Sequence, residues 1–515
     1  MLAFEGTRAR LDLLTTLAEG GVPGVTLYPG INVETAAQLA DLTASLQAAA
    51  GDLPLLIAAD QETGQLVGLG PDTTQFPGAM ALGAVGDADL ARRVAAAVGR
   101  EMRALGVTMN YAPVCDVVTN PANPSLGIRG FSDDPALVAT LAAATVEGLA
   151  STGVAATAKH FPGKGEAVVD PHHELPVLEI DRERLDRVEL APFRAAISAG
   201  VKAVMTGHYA VPAVTGRRDL PGTVSEAMVR GVLRGDLGYD GVVITDALDM
   251  GALPQGVGQI VDVIASLLAG VDLLLLTPDP ESQTRLRTGL DLAVSRGLLP
   301  PEVTAASRSR TSSLRSWLAG FEAPPFDVVG CAEHLDVAAE AARRAVTLVR
   351  NDAGVLPLDS AGRLLAVMPR PSDLTPADTS SSVIPSLAAA LRGHHPDVTE
   401  IVTSHRPEPA EITSVLAAAN TADVIVVGTL TSGVEQAAMV AGLLDLDVPV
   451  VTVAMRTPFD LAAYPAAPTH LCTYSIHRPS MDALCEVLFG VAPPLGRLPA
   501  AIPGLYPTGH RLDLG

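Results

Sequence analysis

One pattern repeats through the first 320 residues of this 515-residue chain: a short apolar run is followed by a longer segment with helical spacing. The runs are rich in Val, Ile and Leu, as buried strands are. This alternation predicts parallel strands joined by helices, because a parallel connection needs a crossover of about a dozen residues or more. The predicted strands are Leu2–Phe4, Gly24–Leu27, Pro54–Ala59, Gly106–Tyr111, Val154–Ala158, Ala203–Thr206, Gly241–Thr245 and Val271–Leu276.

Two α/β architectures fit this rhythm, a closed (β/α)8 barrel of the TIM type and an open, doubly wound sheet. The placement of polar residues favours the barrel, because barrel enzymes assemble their sites at the carboxyl ends of the strands. No glycine-rich nucleotide-binding motif follows a predicted strand. Polar residues follow several of the predicted strands: Asp60, Lys159, His160, His208 and Asp246.

A change in pattern divides the chain into two domains. We predict the barrel over residues 1–320, a linker over 321–335 that contains Pro324 and Pro325, and a C-terminal three-layer α/β sandwich domain over 336–515. The segment Pro371–Pro385, rich in Pro, Ser, Thr and Asp, is predicted to be a surface loop. The predicted elements of the second domain are a helix at Ala332–Val349 and strands at Leu364–Met368, Val424–Gly428, Val448–Ala454 and Leu471–Tyr474.

Composition argues against several classes of protein. The formal net charge of −22 repels phosphate backbones and anionic membranes, so we expect neither nucleic acid nor a membrane as a partner. Apolar runs end well short of the ~20 residues that a spanning helix needs. Charged residues interrupt the N-terminal segment where a signal peptide would be apolar, so we expect a cytoplasmic protein. The four cysteines lack CxxC or CxxH spacing, and we predict neither a metal nor a cofactor.

The segment Ala158–Pro176, AKHFPGKGEAVVDPHHELP, carries the most candidate chemistry. It leaves a strand with Lys159 and His160 and later presents Asp170 and His172. One interpretation is a polar surface loop with incidental histidines. The other is a catalytic loop in which Asp170 orients His172 as a general acid/base, since histidine titrates near neutral pH and a carboxylate partner fixes its tautomer.

Asp246, in the segment ITDALDMGAL, is the second candidate catalytic group. A carboxylate at the end of a buried strand can be a capping group, a metal ligand or a nucleophile. No HExxH or DxD pattern accompanies it, so a metal site is not indicated. Its structural and catalytic roles stay open on this pattern alone.

Together these motifs resemble glycoside hydrolase family 3. KHFPGKG with a downstream DPH, and VVITDALDMGAL, are similar to the β-N-acetylglucosaminidase (NagZ-type) branch of that family. Other segments resemble the family along the whole chain, including GVTLYPGIN, IAADQETGQL, LGIRGFSDDP and, in the second domain, AVTLVRNDAGVLPLD.

The resemblance implies an exo-acting, retaining β-N-acetylhexosaminidase that removes terminal β-linked N-acetylglucosamine, in cell-wall or muropeptide turnover. Asp246 would be the nucleophile that forms a covalent glycosyl-enzyme intermediate, and His172 would be the acid/base, assisted by Asp170. The partner would be a small carbohydrate, and the chain would be a monomer or a homodimer. The residues implied to bind the terminal sugar are Asp60, Arg129, Lys159 and His160.

Departures from the family pattern leave alternatives open. Gln65 and Gly68 stand where the branch commonly has arginine, and Lys164 replaces the usual histidine of KHFPGHG. The helix that usually precedes the first strand is not evident, so an upstream start codon stays open. A phosphorylase is one alternative, because a histidine base carries no negative charge that would repel phosphate. Others are a β-glucosidase or xylosidase of the same family, and a barrel that binds sugars without catalysis; the Asp170/His172/Asp246 set argues against the last.

Overall fold

The computed structural model describes residues 1–514, and it confirms the predicted barrel followed by a separate α/β sheet. Within these residues, seven parallel strands form the barrel sheet in the order β1-β2-β5-β6-β7-β8-β9, and β3 pairs with β4 in an antiparallel hairpin that follows β2. The strands are β1 Gly24–Thr26, β2 Leu56–Ala59, β3 Gln61–Thr63, β4 Leu66–Val67, β5 Met109–Asn110, β6 Ala155–Phe161, β7 Ala203–Thr206, β8 Val242–Ala247 and β9 Leu273–Leu275.

The predicted first strand, Leu2–Phe4, is reduced to a single bridge. Leu2 pairs in parallel with Val25 of β1. On the other side, the amine of Met1 donates a hydrogen bond to the carbonyl of Leu274 in β9 at 2.9 Å. Met1 and Leu2 therefore connect both edges of the sheet and nearly close the barrel.

Helices cover the outside of the barrel. Helix α4 begins at the cap Asp87, whose carboxylate accepts a hydrogen bond from the backbone of Asp89 at 2.8 Å. Two helical segments wind more widely than an α-helix, over Leu185–Glu189 and Ala227–Asp236. The α-helices are α1 Leu11–Ala18, α2 Ala36–Ala48, α3 Ala79–Val85, α4 Ala88–Ala104, α5 Pro135–Ser151, α6 Arg182–Arg184, α7 Leu190–Ser198, α8 Pro212–Thr215, α9 Val257–Ala269, α10 Pro280–Ser295 and α11 Pro301–Leu318.

The second sheet has the order β10-β15-β14-β13-β11-β12, parallel except for β10, which runs antiparallel to β15. Helices pack on it to form the second α/β unit. Its strands are β10 Thr347–Asn351, β11 Leu364–Pro369, β12 Val398–Thr403, β13 Val424–Thr429, β14 Val450–Ala454 and β15 Thr469–Cys472. Its helices are α12 Ala332–Ala345, α13 Leu387–Leu391, α14 Pro409–Ala419, α15 Val434–Leu444 and α16 Arg478–Leu488.

One prediction for this part of the chain was wrong, and another was correct only in part. The helix predicted over Ala332–Val349 ends at Ala345, because the following β-branched and apolar residues form β10. The segment Pro371–Pro385 is not a simple surface loop, since it contains the buried side chains of Asp378 and Ser380. The boundaries of the linker at 321–335 stay a prediction.

Helix α12 joins the two sheets through ion pairs with the barrel. Arg93 of α4 binds both carboxylate oxygens of Glu340 at 2.8 Å, and Arg344 binds Asp87 at 2.7 Å. Among residues 1–514, no helix has the length and apolarity needed to cross a bilayer. The same residues contain no cluster of three or more His, Cys, Asp or Glu side chains arranged to hold a metal ion.

The carboxyl group of Asp460 lies in the core of the second domain. It is fully buried and accepts a hydrogen bond from the hydroxyl of Thr429 at 2.6 Å. Its other oxygen has no hydrogen-bond partner within residues 1–514. Burial raises the pKa of Asp460 to about 7, so this carboxyl is protonated in mildly acidic solution and about half protonated in neutral solution.

Asp460→Asn is expected to remove a pH-dependent loss of stability. The unfolded carboxyl releases its proton near pH 4, whereas the native one keeps it to about pH 7. Stability therefore falls as pH rises between these values and levels off above them, by a total on the order of 4 kcal/mol. The wild-type Tm should drop further than that of the variant between about pH 5 and about pH 8. The exposed Asp447→Asn should follow the wild type, and a parallel drop in all three would contradict the assignment.

Candidate active site

Polar side chains from four strands meet at the carboxyl end of the barrel. Asp60 directly follows β2, Lys159 and His160 lie in the last half of β6, His208 follows β7, and Asp246 lies near the end of β8. The strands bring these residues to one rim because they are parallel and in register. These polar side chains thus lie at the end of the barrel where the sequence predicted them.

Glu62, in the β3–β4 hairpin, lies at the centre of a buried ion network. The guanidinium of Arg129 binds both of its carboxylate oxygens, at 2.8 and 2.7 Å. The ammonium of Lys159 lies 2.5 Å from Glu62 and 2.5 Å from Asp60. Burial alone would raise the pKa of Glu62, but the two cations outweigh it and hold that pKa well below its usual range. Glu62 is therefore ionised at neutral pH.

A second buried pair joins His160 to Asp116. Nδ1 of His160 lies 2.8 Å from one Asp116 oxygen, and the backbone amides of His160 and Lys164 donate to the other at 3.2 and 2.8 Å. Burial and the nearby cations Lys164 and Arg129 lower the pKa of His160, so its ring is neutral. Nδ1 then donates to Asp116, and Nε2 is the acceptor for the Arg129 guanidinium at 3.4 Å.

The predicted His172–Asp170 pair is present on the loop after β6. Nδ1 of His172 lies 2.6 Å from Asp170, and the backbone amide of His172 donates to the same oxygen at 3.0 Å. Burial raises the pKa of Asp170, but these hydrogen bonds outweigh burial and bring it to about 2. The ionised Asp170 holds the proton of His172 on Nδ1. Nε2 has no hydrogen-bond partner within residues 1–514 and is available to a ligand.

Backbone hydrogen bonds tie this loop to the segment that follows β8. The amide of Gly251 donates to the carbonyl of His172 at 3.1 Å, and the amide of Ala252 donates to that of Pro171 at 3.1 Å. A Cβ at position 251 would lie 2.5 Å from the carbonyl oxygen of His173, so the close approach requires glycine. The geometry therefore couples the His172 loop to the strand end that carries Asp246.

Asp246 is held as a carboxylate by the polar groups around it. One of its oxygens accepts a hydrogen bond from the backbone amide of Ala247 at 2.8 Å. Burial would raise its pKa, but His160, His208 and Lys164 outweigh burial and lower it. An ionised carboxylate at the end of a barrel strand can act as a nucleophile.

Lys164 is a buried cation without a partner in this site. Its side chain belongs to a residue only 2% exposed, yet its ammonium forms no hydrogen bond and no ion pair within residues 1–514. Burial, with repulsion from Arg129, lowers its pKa to about 8. Its charge in turn lowers the pKa of Asp246 and of Asp170.

Lys164→Met is expected to move the acid limb of the kcat/KM profile to higher pH. Removal of the cation raises the pKa of both carboxylates that it stabilises, Asp246 and Asp170. The measurement is the pH dependence of kcat/KM in the wild type and the variant. Lys202→Met is the matched control, because that lysine lies over Trp317 and away from the rim. An unchanged acid limb in Lys164→Met would contradict the electrostatic role.

The structure brings six of the seven predicted site residues into two hydrogen-bonded groups, and the seventh, Asp246, lies on the same rim outside both groups. Asp60, Lys159, Arg129 and His160 share one hydrogen-bonded network, and Asp170 and His172 form the other pair. Sequence reasoning missed three buried members of the site. Glu62 could have been found from its position two residues after Asp60, whereas no local pattern singles out the other two, Asp116 and Asn110.

A (β/α) barrel that carries an ionised carboxylate and a His–Asp pair at the carboxyl ends of its strands defines the protein as a barrel enzyme. The chain belongs to the glycosyl hydrolase family 3, because the sequence model of that family's N-terminal domain matches residues 4–314. The predicted family resemblance is confirmed, and the protein is a glycoside hydrolase.

Similar proteins cover either the whole chain or the barrel. The β-hexosaminidase A of Pseudoalteromonas piscicida is 29% identical over 547 residues, which cover 95% of this chain and 91% of that protein. A β-hexosaminidase of Xylella fastidiosa (strain M23) is 36% identical over 283 residues, or 54% of this chain and 82% of that protein. The structure of a family 3 β-N-acetylglucosaminidase from Paenibacillus sp. str. FPU-7 superimposes with a TM-score of 0.91 at 35% identity, covering 98% of this chain and 97% of that one.

Proposed function

We propose that the protein is an exo-acting, retaining β-N-acetylhexosaminidase that removes terminal β-linked N-acetylglucosamine through a covalent glycosyl-enzyme intermediate. The observation that carries the proposal is the His172–Asp170 pair, tied by backbone hydrogen bonds to the segment that follows Asp246. The names of the similar proteins, two β-hexosaminidases and a β-N-acetylglucosaminidase, support the choice of sugar.

In the first step the carboxylate of Asp246 attacks the anomeric carbon while the glycosidic C–O bond breaks. The protonated ring of His172 gives the proton on Nε2 to the leaving oxygen, so that the aglycone departs as a neutral alcohol. Asp170 accepts the hydrogen bond from Nδ1 throughout and stabilises the imidazolium that carries the catalytic proton. The products of this step are the free aglycone and the glycosyl ester of Asp246.

In the second step the neutral ring of His172 accepts a proton from water on Nε2. The oxygen of that water attacks the anomeric carbon, and the Asp246 carboxylate leaves. Two displacements on the same carbon retain its configuration. His172 ends the cycle protonated, as it began.

The Asp60/Lys159/Arg129/His160 network would bind the hydroxyl groups of the terminal sugar. Charged donors and acceptors fixed by one another are suited to this task, because they lose little conformational entropy when the sugar binds. Lys159 and His160 are almost fully buried, so the sugar would be enclosed on this side. We further propose that the enzyme acts in the cytoplasm in cell-wall or muropeptide turnover.

The test is the release of nitrophenol from β-linked N-acetylglucosamine, glucose and xylose aryl glycosides. We expect the N-acetylglucosamine glycoside to be turned over with the highest kcat/KM, with the β-anomer of the free sugar as first product. Preference for glucose or xylose would replace the proposal by another family 3 β-glycosidase. Absence of turnover with all three would contradict a hydrolase for these sugars.

Phosphorolysis is a second candidate, favoured by the unpaired ammonium of Lys164 in the site. Phosphate would replace water in the second step, and its negative charge would not be repelled by a neutral histidine base. The same assays with added phosphate distinguish the two reactions. Formation of sugar 1-phosphate at a rate that rises with phosphate would establish phosphorolysis, and a phosphate-independent rate would exclude it.

A further inference from the structure

The β3–β4 hairpin, which carries Glu62, is fixed from two sides. On the barrel side, the amide of Asn110 in β5 both accepts from the backbone N–H of Gln61 and donates to its carbonyl, each at 3.0 Å. On the other side, the tip of the hairpin at Gly64–Val67 contacts the second domain. Glu62 lies between these two anchors, so its position depends on both.

The segment Ala377–Ser380 of the second domain binds the hairpin tip through its backbone and one hydroxyl. Thr379 donates from its amide and its hydroxyl to the carbonyl of Gln65, at 2.8 and 3.1 Å. The same hydroxyl accepts from the amide of Val67 at 3.1 Å. The side-chain amide of Gln65 also donates to the carbonyl of Ala377 at 3.2 Å.

Arg456, which follows β14, organises this contact. Its guanidinium donates to the side-chain oxygen of Gln65 at 2.7 Å, to Asp378 at 2.8 Å and to the hydroxyl of Ser380 at 3.0 Å. Arg456 is 5% exposed and the side chain of Asp378 is fully buried, so the ion pair is shielded from solvent. In addition, Nε2 of His477 lies 2.7 Å from the carbonyl of Gly64.

The backbone of the hairpin needs such support. Thr63, the residue next to Glu62, has φ +70°, which a β-branched side chain rarely adopts, and Gly64 has φ +62°. A strained conformation of this kind persists only where the surrounding structure enforces it. The second domain supplies much of that enforcement, because its groups bind Gly64, Gln65 and Val67, all within four residues after Thr63.

We propose that Arg456 and Gln65 are positioning residues for the sugar-binding network: the second domain clamps the hairpin and thereby holds Glu62 against Arg129 and Lys159. Both residues act through Glu62 and do not contact the reacting atoms themselves. Loss of the clamp lets Glu62 move, and the two cations that it orients then lose their fixed geometry. The proposal gives the second domain a role in substrate affinity, and it rests on the proposed function only for the choice of substrate.

The experiment compares Gln65→Ala, Arg456→Ala and Arg456→Lys with the wild type in the full-length protein. The readouts are KM and kcat for the aryl β-N-acetylglucosaminide, Ki for free N-acetylglucosamine, and hydrogen exchange of the hairpin amides. We expect KM and Ki to rise about tenfold or more in both alanine variants, with a smaller change in kcat. Exchange at the hairpin should become faster, and Arg456→Lys should recover part of the affinity.

Arg363→Ala is the matched control, since this arginine of the second domain pairs with Asp423 at an exposed site. It should leave KM, Ki and hairpin exchange at wild-type values. Arg456→Ala leaves Asp378 buried without its cation and can unfold the domain. Gln65→Ala keeps that ion pair. If Arg456→Ala proves unfolded, the KM, Ki and hairpin exchange of Gln65→Ala therefore test the proposal.

Wild-type KM and Ki in Gln65→Ala would overturn the proposal, whether or not hairpin exchange changes. Unchanged hydrogen exchange of the hairpin in Gln65→Ala would overturn the proposal as well, because the contact of Gln65 with the second domain would then not fix the hairpin. If the wild type turns over none of the aryl glycosides, the proposed function fails, and the exchange measurement still tests the clamp by itself.

Discussion

Asp246→Ala is expected to lower kcat on an aryl β-N-acetylglucosaminide by roughly ten-thousand-fold while leaving the fold intact. The side chain is the only proposed nucleophile, and the groups around it lower its pKa and keep it ionised. Without it no glycosyl ester forms. The measurement is steady-state turnover together with the Tm of the variant, which should stay close to the wild-type value.

Azide gives this prediction a sharper form. A small anion can enter the space left by the carboxylate and attack the anomeric carbon, so azide should restore aglycone release and yield a glycosyl azide of inverted configuration. Asp249→Ala is the matched control, because Asp249 is an exposed carboxylate three residues further along the same segment. It should cost less than tenfold in kcat. Undiminished turnover in Asp246→Ala would rule out the mechanism.

The barrel could be predicted because its strands are buried on both faces and read as short apolar runs. The prediction of strands failed where a strand is buried over only part of its length. Strand β12 was missed because it is an edge strand in which only Thr403 is buried, and β10 was merged with the helix before it. The contact of Leu2 with β1 is a single bridge, so its apolar neighbours suggested a longer strand than the structure has.

Some residues of the candidate site could likewise be predicted from the sequence, and others could not. Asp60, Lys159, His160 and Asp246 could be predicted because each occupies the end of a strand, a position that the local pattern reveals. The contact between Gln65 and the second domain could not, since it joins residues 312 positions apart and leaves no periodic signal in either segment. A polar, proline-rich segment has the composition of a solvent-exposed loop, and only tertiary structure shows that Pro371–Pro385 is partly buried against the barrel.

His172→Ala is expected to lower kcat/KM by about a hundredfold to ten-thousandfold, with the larger loss on substrates whose leaving groups are poor. A nitrophenolate departs without protonation, so its release should suffer less than that of an alkyl aglycone. Loss of the base also slows hydrolysis of the glycosyl ester, and a burst of nitrophenol should therefore precede slow turnover. His173→Ala is the matched control, because this adjacent histidine is exposed and should retain near wild-type kinetics.

Asp170→Asn completes the test of the pair. The amide still fills the space beside Nδ1 of His172 but no longer stabilises the protonated ring or fixes its tautomer, so we expect a loss smaller than that of His172→Ala. In the double variant the two losses should not add, because Asp170 acts only through His172. Full additivity would show that Asp170 acts elsewhere. Equal losses on good and poor leaving groups in His172→Ala would show that this histidine is not the proton donor.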